Sequence, residues 1–152
     1  MQRGCLVWKV QKTGHKFYEK KIPLFPRIIH FFMRIFFSCS IPPKVIIGDN
    51  VRFAHNALGV VIHDDAIIGE GSVILQNVTI GGKNGQKAPQ IGANCFLGAG
   101  CCVLGEIVLG DDVIVGANAV VTHDVPNGKV VAGVPARIIS EVSKDMLGYQ
   151  KK

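Results

Sequence analysis

The chain has 152 residues, 48% of them hydrophobic, which is enough for one domain with a buried core. Its formal net charge is +6, unevenly placed: residues 1–44 hold nine Lys/Arg against one acid, and residues 45–152 hold eight against ten. The basic arm suits an anionic membrane surface or an acidic polymer, and the lack of any recognition motif beside it argues against nucleic acid.

Residues 1–21 are polar and basic, with Trp8, Phe17 and Tyr18 scattered among lysines. No clean apolar run with a small-residue cleavage site follows, so a signal peptide is not expected. Residues 22–39 are the most apolar stretch, and Pro26 suits the first turn of a helix. Arg27, His30 and Arg34 interrupt it at helical spacing and share one face. The run is too short and too charged to span a bilayer. It reads as a helix that caps the core or packs between subunits, or else as an interfacial helix with its aromatic face in lipid.

From Ile41 the chain falls into sixes. Aliphatic or aromatic starts stand at Ile41, Ile47 and Phe53, then at Ile62, Ile68, Ile74 and Ile80, then at Ile91, Leu97, Val103, Leu109, Val115 and Val121. Four residues after the later starts come small or aliphatic residues: Ala66, Ser72, Val78, Cys95, Cys101, Ile107, Val113 and Ala119. A period of six fits neither a helix nor a flat alternating strand. It fits a coil of three short strands stacked on the next coil, with the start residue pointing inward and Gly, Asn or Asp at the turns. At 18 residues a coil, the run makes about five coils, each rising roughly 4.8 Å.

The phase slips twice. GVV (59–61) stands extra before Ile62, beside FAHNAL, and GGKNGQKAPQ separates Ile80 from Ile91 as an exposed, mobile, basic loop. Loops leaving a rigid scaffold are where chemistry concentrates. After Val121, Pro126 and Pro135 stop the pattern, and a short final helix is expected. The division is therefore a helical, basic segment over 1–40, a repeat domain over 41–139 with its loop at 81–90, and a tail over 140–152.

The five cysteines form no CxxC pair and no disulfide framework, which points to a reducing, cytoplasmic compartment, with contact at the inner membrane face as an alternative. Cys95 and Cys101 occupy small corner positions and read as packing groups rather than nucleophiles. Among five histidines, His15 and His30 lie outside the repeat, and His123 reads as a solvated turn residue. His55 and His63 both flank the first slip, and an imidazole there supplies a base of near-neutral pKa. No HxxxxH pair is present, which argues against a metalloenzyme on this scaffold, such as a γ-type carbonic anhydrase. A non-catalytic scaffold is the remaining alternative.

Several runs carry a resemblance over residues 41 to about 140: His55 followed by GVVI (59–62), QNVTIGG (76–82), IGANCFLGAGC (91–101), VLGEIVLG (103–110), VGANAVV (115–121) and AGVPARI (132–138). In these the chain resembles the acetyl-CoA-dependent acyltransferases of the hexapeptide-repeat superfamily, on the branch of serine O-acetyltransferases and their sugar- and polysaccharide-modifying relatives. The resemblance implies an all-β fold, a left-handed parallel β-helix, and a homotrimer with its sites at the subunit seams. It implies His55 as general base, with no covalent intermediate. His63 is the runner-up base, and Asp64 or Asp65 could orient an imidazole. Asn56 and Lys87 fall on the acceptor side. Coenzyme A falls against Gly81, Gly82, Lys83, Ala99, Ala117, Val134, Pro135 and Arg137, and no metal is implied.

The departures bear on the acceptor. The resemblance expects an acid before the first His, where Ala54 stands. It expects a second His in an Arg-His-Pro run, where Lys87-Ala88-Pro89 stands, and a Lys where Ile114 stands. The long helical N-terminal domain of serine acetyltransferases is replaced by about 40 residues. A free amino acid needs charged partners for its carboxylate and ammonium. The sequence therefore ranks a saccharide hydroxyl, on a cell-surface polysaccharide or its precursor, ahead of L-serine and cysteine biosynthesis.

Overall fold

The structure is a computed structural model, and it describes residues 6–85, 87–143 and 146. Twelve of its strands are short and recur in threes. The first coil holds β1 (Ile46–Ile47), β2 (Arg52–Phe53) and β3 (Val61–Ile62). The second holds β4 (Ile67–Ile68), β5 (Val73–Ile74) and β6 (Thr79–Gly81). The third holds β7 (Gln90–Ile91), β8 (Phe96–Leu97) and β9 (Cys102–Leu104). The fourth holds β10 (Val108–Leu109), β11 (Ile114–Val115) and β12 (Val120–Val121). Strands stack in parallel on three faces: β1-β4-β7-β10 on face 1, β2-β5-β8-β11 on face 2, and β3-β6-β9-β12 on face 3. This is the expected left-handed β-helix. Four coils are complete. A fifth is begun by the bridge of Val125 to Leu109 and by β13 (Lys129–Gly133), which pairs in parallel with β11.

The repeat phase read from the sixes holds. Each start from Ile62 to Val121 is at most 2% exposed, and the small-position residues four places on are buried as well. Coil-to-coil hydrogen bonds run along every face, as from the Gly98 N–H to the Val115 carbonyl (2.9 Å) and from the Gly92 N–H to the Leu109 carbonyl (2.8 Å). The turns divide their labour in a way the pattern did not reveal. The left-handed residues are mostly Asn, Asp or Gly, among them Asn77, Asn94, Asp112, Asn118, Gly71 and Gly100. Most of the glycines that directly follow an inward residue serve close approach instead. A Cβ on Gly69 would lie 2.4 Å from the Gly92 backbone, and one on Gly98 would lie 2.7 Å from the Ala117 nitrogen.

Three expectations need sharpening or correction. First, the helical segment expected over 1–40 is two helices: α1 (Leu6–Glu19), in a stretch whose sequence pattern delimits no helix, pairs with α2 (Leu24–Phe36). The buried positions of α1 are Val7, Gln11 and Gly14, a sparse pattern with only one aliphatic residue. Gln11 and its neighbours matter because the first coil lies beneath them. The Gln11 Nε2 donates to the Val45 carbonyl (3.0 Å), Trp8 Nε1 to the Gly48 carbonyl (3.0 Å), and His15 Nδ1 to the Pro43 carbonyl (2.7 Å). Second, the stretch that follows Val121 does not run directly into the expected final helix: of residues 144–152 only Met146 is described, as part of a helical turn whose N–H donates to the Ser143 carbonyl (3.1 Å), and the rest lie outside the described residues. Instead β14 (Ala136–Glu141) folds back antiparallel on β13 and covers the open edge of face 2. Third, the three extra residues of the first slip are not GVV. Gly59 stacks on Asn77, Val60 is fully buried, and Val61–Ile62 pair with Thr79–Ile80, so GVV is in register. The excess is absorbed just upstream, in a turn over Ala54–Ala57 whose last three residues are left-handed.

The loop between β6 and β7 is exposed at Lys83, Asn84, Gly85 and Lys87, but Ala88 and Pro89 are tucked into the body. Among the described residues, no helix is long and apolar enough to cross a membrane.

Two measurements check this packing. Leu97→Asp places an unpaired carboxylate in the column, and chemical denaturation should show a loss of about 4 kcal/mol or more. Cys95 and Cys101 are fully buried, and burial pushes both thiols up to about 12. An aromatic disulfide reagent at mildly alkaline pH should leave both unmodified in the folded protein and label them on denaturation.

Candidate active site at the coil corners

The corner between faces 2 and 3 carries His55 and about half of the residues singled out above. In the second, third and fourth coils it is tight: Gln76–Asn77, Ala99–Gly100 and Ala117–Asn118 follow one another up the edge. The Gly100 N–H donates to the Gln76 carbonyl (3.0 Å), and the Asn118 N–H to the Ala99 carbonyl (2.9 Å). β13 ends on the same edge, so the turn through Gly133, Val134 and Pro135 tops it. With a rise of roughly 4.8 Å per coil, the edge from the first to the fourth coil runs about 14 Å.

In the first coil this corner opens outward. Phe53 and Val60 must both point in, and three more residues separate them than separate Ile74 from Val78. The chain spends the excess on His55, Asn56 and Ala57, all left-handed, at φ of 50°, 55° and 59°. Asn and His enter that region more readily than most residues, but three in succession cost about 1 kcal/mol or more each. Such strain persists only where surrounding packing enforces it, here through Phe53, Ala57 and Val60. The result displays the His55 imidazole, which is exposed and makes no hydrogen bond to another described residue.

The corner between faces 3 and 1 holds the other group. His63, Asp64 and Asp65 sit at the end of β3, and the loop with Gly82, Lys83 and Lys87 leaves from the end of β6, where Gly81 is the last strand residue. The Asp65 N–H donates to His63 Nδ1 (3.2 Å), which places the proton of a neutral His63 ring on Nε2. The Asp65 carboxylate is paired with Lys44. That hydrogen bond, the Lys44 charge, and the charges of His63 and Lys87 hold the Asp65 carboxyl below the usual range, and the same contact raises Lys44. Asp64 turns toward a cleft of about 670 Å³ between the helices and the first coil, which Tyr18, Arg27, His30 and Lys44 also line. Burial first, and Arg34 second, lower the pKa of His30, which meets the Ser40 hydroxyl at 3.3 Å.

Face 3 thus separates the two groups within one chain. His55, Asn56, Ala99, Ala117, Val134 and Pro135 share one corner, with Arg137 exposed just beyond it. His63, Asp64, Asp65, Gly82, Lys83 and Lys87 share the other. Ala88, at the position where the resemblance expects a second His, is buried and its side chain carries no polar atom. Among the described residues, no group of three His, Cys, Asp or Glu is arranged to hold a metal ion. Gln76 is a polar residue that the sequence reading passed over. It stands on the His55 edge where the next coils carry Ala99 and Ala117, and its Oε1 is buried without a hydrogen-bond partner among the described residues. A Gln in an alanine column was the available signal.

The family model described as bacterial transferase hexapeptide (six repeats) matches residues 88–123. A serine acetyltransferase from Synechococcus elongatus is 36% identical over 145 residues, covering 92% of this chain and 59% of that protein. Among solved structures, serine acetyltransferase from Brucella abortus in complex with coenzyme A aligns with a TM-score of 0.85 at 30% identity, over 89% of this chain and 55% of that one. The Neisseria gonorrhoeae serine acetyltransferase in complex with serine aligns with a TM-score of 0.83 at 29% identity, over 88% and 55%. The chain spans somewhat more than half the length of these relatives. Solenoid, corner edge and sequence likeness agree, and the chain belongs to the hexapeptide-repeat acyltransferase superfamily, on its serine acetyltransferase-like branch.

Proposed function

We propose that this chain is an acetyl-CoA-dependent O-acetyltransferase with His55 as its general base. The observation that carries the reading is the outward, left-handed turn that displays an exposed imidazole, with no hydrogen bond to another described residue, at the foot of an edge of small residues. His55 takes the proton of the acceptor hydroxyl as its oxygen attacks the thioester carbonyl. The tetrahedral oxyanion is held by backbone N–H groups, and its collapse expels the coenzyme A thiolate, which receives the proton from the imidazolium. No bond to the protein forms. The buried, high-pKa thiols of Cys95 and Cys101 fit that role poorly.

The donor fits the edge above His55. Ala99 and Ala117 leave room for an extended pantetheine arm, and the Val134–Pro135 turn ends the groove. Arg137 and Lys83 are exposed cations suited to phosphate. Because face 3 parts Lys83 and Lys87 from His55, one site using both draws them from two chains. A cyclic homotrimer supplies that arrangement. Face 1 presents an outward stripe of Ile46, Ile67 and Val108, each more than a third exposed, which suits burial against a neighbour. In this reading residues 1–40 cap the β-helix, 41–139 carry the chemistry, and 140–152 form the tail.

For the acceptor, the likeness to serine acetyltransferases moves L-serine ahead of the saccharide that the sequence ranked first. One observation still favours a saccharide: Ala54 and the buried Ala88 offer neither charge nor hydrogen bond where the resemblance expects an acid and a second His.

Two experiments decide these points. His55→Asn keeps a side chain that tolerates the left-handed turn, so the melting temperature should hold while acetyl transfer falls by about 100-fold or more; retained turnover removes His55 from the role of base. Thiol release from acetyl-CoA should be greatest with L-serine in a panel that includes sugars and nucleotide-sugars. Release with a saccharide alone would reverse the order of acceptors and leave the reaction class intact.

A further inference from the structure

The outer surface of the α1–α2 hairpin serves neither the β-helix core nor the corner edge. α2 buries Pro26 and Met33 toward the body. Leu24, Phe25, Ile28, Phe31, Phe32, Ile35 and Phe36 all face outward, each at least 42% exposed. At about 100° per residue these seven fill one unbroken arc of roughly 140°, on the side of the helix away from Pro26 and Met33. Phe32 and Phe36 stack on each other with centroids 5.2 Å apart. Soluble monomers rarely leave so large a contiguous apolar patch uncovered.

Cations rim the arc on both sides. Arg27 and Arg34 fall together on one edge and are exposed. α1 lies along the other edge, where Phe17 stacks on Phe25 (5.2 Å) and Gly14 abuts Ile29. Lys9 and Lys16 sit on the exposed side of α1, opposite Val7, Gln11 and Gly14, and Lys20 follows its end. Glu19 is the single acid within residues 1–44.

We propose that this face is a docking surface for an anionic lipid bilayer, with α2 lying in the interface and the Lys/Arg rim at the headgroups. α2 has 13 residues and runs about 20 Å, too short to span but suited to lie flat. An aromatic arc between two cationic edges matches a layer that is apolar at depth and anionic at its surface. A second copy docked face to face would instead set cationic rim against cationic rim. The hairpin is fixed to the first coil by Trp8, Gln11 and His15, so docking would orient the whole β-helix toward the membrane.

The test is co-sedimentation of the full chain with vesicles of phosphatidylcholine plus phosphatidylglycerol, and with phosphatidylcholine alone, alongside the solution mass. The wild type should bind the anionic vesicles and release them as salt rises. Phe31→Glu with Phe36→Glu should abolish binding while circular dichroism and solution mass stay unchanged. Arg27→Glu with Arg34→Glu should weaken it by about tenfold or more. Failure of the wild type to bind anionic vesicles overturns the proposal, as does equal binding to neutral ones. A fall in solution mass in the Phe31/Phe36 variant also overturns it, because the face is then a contact between copies.

Discussion

Each coil has to stack on the next at one strand spacing, and the rest of the molecule depends on that constraint. One aliphatic side chain must point inward from each face at every level, so the column of Ile, Leu and Val is continuous. The corners must be thin enough for neighbouring backbones to touch, which is why Gly69, Gly92 and Gly98 leave no room for a Cβ. A stack of this kind is open at both ends. The helical hairpin covers the first coil through hydrogen bonds to its carbonyls, and β14 closes the last face by running antiparallel to β13.

A rigid ladder also dictates where irregularity can go. Extra residues cannot enter a face without breaking the register of every coil beyond it, so they leave at corners. The first coil leaves at the corner of faces 2 and 3 and displays His55 in a strained left-handed turn. The second leaves at the corner of faces 3 and 1 and throws out the basic loop. Both departures carry polar groups in an otherwise apolar scaffold, and they lie at opposite ends of face 3. A single chain therefore holds the two polar groups apart, and the proposed trimer seam is what would unite them in one site.

The same economy explains the cysteines. Cys95 and Cys101 fill corner positions where the neighbouring coils use Ser72, Val78, Val113 and Ala119. Ser72 is tolerated there because its hydroxyl donates to the Gly92 carbonyl and accepts from the Cys95 N–H. Burial that makes the thiols good packing groups removes them from chemistry. The hairpin face follows the opposite logic: its apolar residues are exposed, and its cations surround them.

The amino-acid sequence by itself determined the solenoid, because a six-residue period survives only if every start is inward, and one misplaced start would have shifted all that follow. It also marked His55 and His63 as candidates, since the phase slips beside both, and the preference for His55 came from the family resemblance. The tertiary structure alone decided where the slip resides. AHN and GVV are equally extra in the string of letters, and only the stacking of Gly59 on Asn77 and the burial of Val60 assign the excess to the turn at His55. The bounds and buried face of α1 escaped the sequence because Gln11 and Gly14 become core residues only against the first coil and α2. The closing hairpin escaped because β13 needs β11 beside it, and two prolines mask its pattern. The separation of His55 from His63 across face 3 was invisible for the same reason. Eight residues apart in sequence, they stand at different corners because a three-strand coil turns between them.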